Sequence, residues 1–412
     1  MFKQRKYDTV LLIAVLALVV IGIVMITSIG VPKSIRISAP DLKYADCADT
    51  AVDCYLILKK HLIRALIGLI AMLVGWKMPA KIWKTLSPIF YVFGVGLLIY
   101  VLFGGDANNT FAKSWINLPA LPFVDSIQPS EIAKLGLIFY LSYFLSEKIS
   151  YEKLQLWQEG FLKFAIIAGL IVGPIVFQPD IGSAMVVSAI AVTIYFLSGA
   201  SLKHFAVGAI FVVMASSIIL GVSGHSRERV VNFISPPEDC STDPACWQTR
   251  QANISIGSGG FWGKGLTQGI QKQFYLPQAV DDFVFAASSE ELGFLRMAII
   301  VLLYATIAFH GFKIASHAPN KFSMLVAGGI SAWISVQAFV NIMVNTALFP
   351  ITGVTLPFMS YGGSSMVMTL FAIGILLNIS QNTTHYEYSS NGRRDSRSRD
   401  TGSRYSGRYQ RI

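Results

Sequence analysis

The chain has 412 residues, 53% of them hydrophobic and only 14% charged, with a formal net charge of +10. Soluble domains carry about 25% charged residues, so this composition excludes an ordinary soluble globule, a disordered chain and a coiled coil. It points to a polytopic membrane protein, because lipid solvates apolar side chains that water cannot. Within residues 379–412, seven Arg face Glu387, Asp395 and Asp400, which places +4 of the net charge there. That balance suits basic cytoplasmic segments and implies no nucleic-acid partner.

In chain order, Val10–Gly30 is the first apolar run, free of charge over 21 residues. At 1.5 Å per residue it is long enough to cross a bilayer, and its apolar core is too long for a cleaved leader. Further runs lie near residues 62–76, 86–104, 128–145, 161–177, 181–198, 205–222, 295–312, 323–345 and 361–378, giving an expectation of about ten transmembrane helices. The fifth and sixth nearly abut, and Pro179 marks the break between them. The organisation expected is a cytoplasmic N-terminus at 1–9, an all-α membrane domain at 10–380, and a disordered, basic cytoplasmic tail at 381–412.

Orientation follows from Lys and Arg in the short loops. With Lys3, Arg5 and Lys6 inside, the inner loops hold Lys77, Lys81 and Lys84, then Lys148 and Lys153, Lys203, Lys313 and Lys321. Lys33, Arg36, Lys43, Lys59, Lys60 and Arg64 then lie around the first outer loop, an exception to the rule. This topology puts all four cysteines outside: Cys47 and Cys54 in the first outer loop, Cys240 and Cys246 in the long loop after the seventh span. Two close pairs on an oxidising side suggest two local disulfides, and neither pair has the spacing usual for zinc.

The polar motifs collect at the outer ends of the spans. Glu131 and Lys134, at i and i+3 about one turn into the fourth span, can meet on one helix face. They either line a site or fix helix packing. Gln178-Pro179-Asp180 breaks the fifth span from the sixth, and Asp180 can cap the following helix or touch substrate. The long outer loop at 223–294 carries Phe233, Trp247, Phe261, Trp262, Phe274 and Tyr275, which suit an interfacial position. The stretch 257–265 lacks the strand–loop–helix context of a nucleotide cradle. Its backbone N–H groups with Lys264 could still hold a diphosphate, and Arg227 and Arg229 are further phosphate candidates. Asp281-Asp282 and Glu290-Glu291 complete the acidic set, and only one of each adjacent pair is expected to face a site. A carboxylate beside Phe283 and Phe285 at a membrane surface suits general-base work.

The segments QPSEIAKL (128–135), FQPDIGSA (177–184), IGSGGFWGKGLTQG (256–269), YLPQAVDDFVFAASSEELGF (275–294) and NTALFPITGVTLPFMSYGGSS (345–365) resemble, in order, the signatures of the SEDS family (shape, elongation, division and sporulation) of the FtsW and RodA type. The resemblance covers about residues 10–380. It implies a peptidoglycan glycosyltransferase that polymerises lipid II, and so handles undecaprenyl-linked glycan, on the outer face of the bacterial cytoplasmic membrane. It also implies a class B penicillin-binding transpeptidase as partner, with other division or elongation proteins. The essential acid of the family maps onto Asp282, although Gln278, Val280 and Asp281 replace the Glu, His and Thr usual in that segment. For such a reaction the expected substrate contacts are Glu131, Lys134, Gln178, Asp180, Ser360 and Ser364, with Arg227, Arg229, Lys264 or a divalent cation such as Mg or Mn near the diphosphate. The polar Arg-rich tail and the ending at Gly374–Ser380 resemble the division type more than the elongation type. A rival reading, a flippase for the same lipid, needs a central polar pathway and internal repeats, and no convincing repeat is present.

Overall fold

The computed structural model describes residues 7–40, 46–50, 52–105, 114–117, 126–209, 231, 233–235, 239–240 and 243–383. The described chain is overwhelmingly helical. Its main helices are α1 (Thr9–Ile29), α2 (Val31–Ser38), α3 (Leu56–Lys77), α4 (Ala80–Gly104), α5 (Pro129–Tyr143), α6 (Tyr151–Leu154), α7 (Leu162–Phe177), α8 (Ile181–Leu197), α9 (Pro244–Gly259), α10 (Val284–Ser316), α11 (Lys321–Asn345) and α12 (Gly363–Gln381). Short π-helical turns precede α6 and α7 at Phe144–Lys148 and Trp157–Phe161. One two-residue ribbon, Ile116–Asn117 against Ser126–Ile127, is antiparallel and pairs Ile116 with Ile127.

Among the described residues, six helices are long and apolar enough to cross a membrane: α1, α4, Trp157–Phe177, α10, α11 and α12. The runs expected near 62–76, 128–145 and 181–198 are also helical, as α3, α5 and α8. The run near 205–222 lies mostly outside the described residues, as do residues 384–412 of the expected tail. The apolar stretch of α11 is 78% buried, whereas those of α4 and α10 are 28% buried, so α11 is the most enclosed of these six and the other two present wide faces to the surroundings. Close packing of α3 on α12 depends on Gly374, where a Cβ would meet Met72 O at 2.0 Å.

Hydrogen bonds sort the two ends of the bundle. At one end, Asp8 caps α1 through Leu11 N, pairs with His310 Nδ1 at 2.7 Å and takes Ser380 Oγ on its backbone N–H. Asn378 Nδ2 donates to Trp76 O there, and Lys84 meets Glu147 at 2.7 Å. The opposite end gathers Ser28, Lys33, Gln128, Asp180, the 260–283 segment and the 350–362 segment, as the contacts below show.

The long loop contains a helix that its aromatic content did not disclose. Asp243 accepts from Ala245 N and Cys246 N, and Pro244 occupies the first turn, so α9 starts with a side-chain cap followed by a proline. Its inward residues Gln251, Ala252 and Ser255 are buried against α10. The single long helix α10 is in fact broken at Gly293, whose φ of 74° interrupts it between Leu292 and Phe294. The second half corresponds to the span expected at 295–312.

Candidate active site

Residues 277–283 run from Pro277 to Phe283. Gln278 sits at φ 53°, and its carbonyl accepts from both Asp281 N (3.0 Å) and Phe283 N (3.1 Å). Phe283 and Val284 have no exposed surface, which anchors the start of α10 and leaves Asp282 half-buried at the bundle end. Two asparagines one turn apart on α11 fix its backbone: Asn341 Nδ2 and Asn345 Nδ2 donate to Asp282 O at 2.8 and 2.9 Å. Asn345 Oδ1 then accepts from Ala286 N at 2.9 Å, a first-turn donor that has no partner within its own helix. Asn341 also donates to Val354 O, and Tyr361 N donates to Val280 O at 2.9 Å, so the 350–362 segment is tied alongside. A Cβ at Gly353 would lie 3.7 Å from Asp282 Oδ2.

The two aspartates diverge. Asp281 Oδ2 pairs with Lys33 Nζ at 2.5 Å. Lys33 lies 5.6 Å from the centroid of the Tyr361 ring, and the Arg64 guanidinium stacks over the same ring at 4.4 Å. His61, fully buried one turn before Arg64, has its ring 6.2 Å from that of Tyr361. Lys33, Arg64 and Tyr361 were not among the expected site residues. Counting Arg64 as a loop charge hid its signal, a buried cation inside an apolar run.

Glu131 and Lys134 meet at 2.8 Å with side chains 4% and 2% exposed. The pair extends through Gln337, buried on α11. Its Oε1 accepts from Lys134 Nζ (2.9 Å) and Trp333 Nε1 (2.7 Å), and its Nε2 donates to Thr355 O (3.1 Å) and Ser365 Oγ (3.3 Å). Glu131 Oε2 and Ser130 Oγ are buried without a hydrogen-bond partner. The ammonium is thus neutralised and hydrogen-bonded inside the bundle, the condition on which a buried charge persists. The pair packs α5 on α11 and, through Gln337, supports the 350–362 segment beside Asp282, which is the packing role considered from sequence.

Asp180 caps α8 through Ser183 N at 2.9 Å, with Gln128 Nε2 3.4 Å from its other oxygen. Gln178 is buried and donates to Leu98 O. Ser364 Oγ accepts from Gln128 N, which joins the start of α12 to the start of α5. Ser360 Oγ accepts from Leu356 N and closes a local turn. Of the expected substrate residues, Asp180 and Ser364 are joined through Gln128, which was not among them. Gln178 and Ser360 serve the backbone.

The glycine-rich stretch departs from expectation. Backbone donors of the stretch go to main-chain carbonyls, and the Lys264 ammonium and the N–H groups just beyond the stretch go to the protein's own acids. Lys264 N and Gly265 N donate to the carbonyls of Glu290 and Glu291, Gln271 N donates to Glu290 Oε2, and Thr267 N to Glu291 Oε2. Lys264 Nζ pairs with Glu290 at 2.6 Å, and Lys272 Nζ with Glu291 at 2.7 Å. Both glutamates are almost wholly buried. The broken helix at Gly293 and the folded-back loop allow each its own set of donors. Arg227 and Arg229 lie outside the described residues. Among the described residues no three His, Cys, Asp or Glu side chains converge to hold a metal ion. Cys47 is bonded to Cys54 and Cys240 to Cys246, with Cα separations of 5.8 and 5.2 Å.

Comparison with known proteins follows the same lines. The family model of FtsW, RodA and SpoVE, described as cell cycle protein, matches residues 8–385. The probable peptidoglycan glycosyltransferase FtsW of Trichlorobacter lovleyi is 34% identical over 381 residues, covering 92% of this chain and 94% of that protein. Stage V sporulation protein E of Bacillus subtilis is 35% identical over 381 residues, covering 92% and 98%. Among solved structures, a chain of a peptidoglycan synthase complex that coordinates polymerisation and crosslinking superposes with a TM-score of 0.71 at 25% identity, covering 92% of this chain and 99% of that one. The rod shape determining protein RodA of Thermus thermophilus shares the fold, with a TM-score of 0.63 at 24% identity over 92% and 98% of the two chains. With its multi-pass helical fold and a match running almost from end to end, the chain belongs to the FtsW/RodA/SpoVE family of membrane proteins.

Proposed function

We propose that the chain is a peptidoglycan glycosyltransferase of the FtsW type that polymerises lipid II at the outer face of the bacterial cytoplasmic membrane, for septal synthesis in division. The observation that carries this reading is the half-buried Asp282, anchored through its backbone by Asn341 and Asn345, beside the Lys33–Tyr361–Arg64 cluster. Asp282 accepts the proton of the acceptor sugar hydroxyl as that oxygen attacks the anomeric carbon of the donor, with inversion. Negative charge grows on the departing lipid diphosphate, and the Arg64 guanidinium supplies positive charge on that side of the acid. Asp281, neutralised by Lys33, has the smaller part. The long polyprenyl tails lie against the apolar outer faces of the helices.

Positively charged loops at the plain end of the bundle support cytoplasmic termini, which puts Asp282 outside. A class B penicillin-binding transpeptidase is the partner that would crosslink the glycan made here, consistent with the synthase complex whose chain this one resembles. The test is polymerisation of lipid II by purified protein, with product length read on a gel. Glycan strands from the wild type and none from Asp282→Ala at matched protein support the reading. Polymer from both, or movement of lipid II across vesicles without polymer, overturns it.

A further inference from the structure

The helix α9 and the segment before Asp282 touch through two hydrogen bonds that nothing in the proposed chemistry uses. Trp247 Nε1 donates to Tyr275 O at 3.1 Å, and Gln248 Nε2 donates to Pro277 O at 3.3 Å. These carbonyls bracket Leu276, which is 2% exposed and whose N–H is taken by Gln271 O. The stretch is flanked by two non-glycine residues in the left-handed region, Phe274 at φ 66° and Gln278 at φ 53°. Such conformations are strained for residues with a Cβ and persist only where the surroundings over-determine them. The two donors from α9 supply that determination between the strained residues. Trp247 and Gln248 directly follow Cys246, which is buried and bonded to Cys240, and the Asp243 side chain caps the same turn. On its inner side Ser255 Oγ donates to Ala286 O, so α9 is fixed to the helix that begins just after Asp282.

We propose that Trp247 and Gln248 are positioning residues for Asp282, and that the Cys240–Cys246 bond holds them in register. The inference rests on the reading of Asp282 as the base. The donors act on the carbonyls seven and five residues before it, so their loss lets the 275–278 stretch relax and moves the carboxylate relative to the acceptor hydroxyl. A misplacement of about 1 Å can cost about 10²-fold in rate.

The test measures kcat and KM for lipid II polymerisation by the full chain, per amount of folded protein. Trp247→Phe keeps a ring and loses the donor, and Gln248→Met keeps length and loses the donor. Each should lower kcat between about tenfold and about a hundredfold with KM unchanged. Gln248→Lys, which retains a donor of similar reach, should recover most of the rate. The double variant Cys240→Ser, Cys246→Ser should fall in the same way, while Cys47→Ser, Cys54→Ser should not. Asp282→Asn run alongside separates the two ideas, because polymer from that variant would sink the base assignment itself. If Asp282→Asn is dead while Trp247→Phe and Gln248→Met keep the wild-type kcat, the positioning role is overturned. A lowered melting midpoint with unchanged kcat likewise overturns it.

Discussion

Lys33 on α2 reaches Asp281, 248 residues away in sequence, and closes on its carboxylate at 2.5 Å. Both side chains keep some exposure, 35% and 21%, so solvent screens the pair and its contribution to stability is small, of the order of 0–1 kcal/mol. Its consequence is chemical. One of two adjacent acids is neutralised by an ammonium, and the other faces the 350–362 segment.

The two aspartates should therefore separate in a polymerisation assay. Asp282→Ala should lose on the order of 10²–10⁴ in rate, the usual cost of a missing general base, while the protein still inserts. Asp281→Ala should stay within several-fold of wild type. The reverse order, Asp281→Ala dead and Asp282→Ala active, would show that the family's acid has been carried onto the wrong residue.

The buried pair on α5 predicts a folding defect. Glu131→Ala leaves the Lys134 ammonium to Gln337 and Trp333 in a site with almost no solvent, and breaking a buried pair from one side costs about 3–5 kcal/mol. We expect a lower melting midpoint in detergent and poor recovery. Replacing both partners, as Glu131→Gln with Lys134→Met, should regain much of that stability because no buried charge is stranded. A double variant as unstable as the single one would argue that the pair acts through shape rather than charge.

Much of this was legible in the sequence. The apolar runs located the helices, and Pro179 separated α7 from α8 because a 38-residue span has no place in a bilayer. Asp180 as a cap and Glu131–Lys134 as a pair followed from local spacing alone. Contacts between distant segments were not legible. Nothing local states that Lys33 meets Asp281, that Arg64 stacks on Tyr361, or that Gln337 joins four helices and loops, since each depends on how the spans pack. The glycine-rich stretch is a related case: donors suited to an anion are visible in sequence, but the carbonyls of Glu290 and Glu291 that take Lys264 N and Gly265 N, and the Glu290 carboxylate that takes the Lys264 ammonium, are not.

The crossing of Gly263 and Gly293 should tolerate no side chain. A Cβ on Gly293 would meet Gly263 N at 2.1 Å, one on Gly263 would meet Glu291 O at 2.2 Å, and both residues have positive φ. Gly293→Ala should destabilise by more than about 1 kcal/mol and free the 264–272 loop from its glutamates. Limited proteolysis would report this as new cleavage between Lys264 and Lys272, and an unchanged digest would refute it.

Residues beyond 385 fall outside the family match, and they hold almost no aliphatic side chains. Deleting 386–412 should leave lipid II polymerisation in detergent near wild type. A severe loss would place part of the machinery in that segment.

Asp282 is held by its carbonyl from α11, a helix buried along most of its length, as well as through the loop in which it is written. The acid is consequently tied to a transmembrane span. Whatever shifts α11 along its axis, including lipid thickness at its ends or pressure from a neighbouring helix, bears on the base through these two bonds, so the reaction centre carries a mechanical connection to the plane of the bilayer.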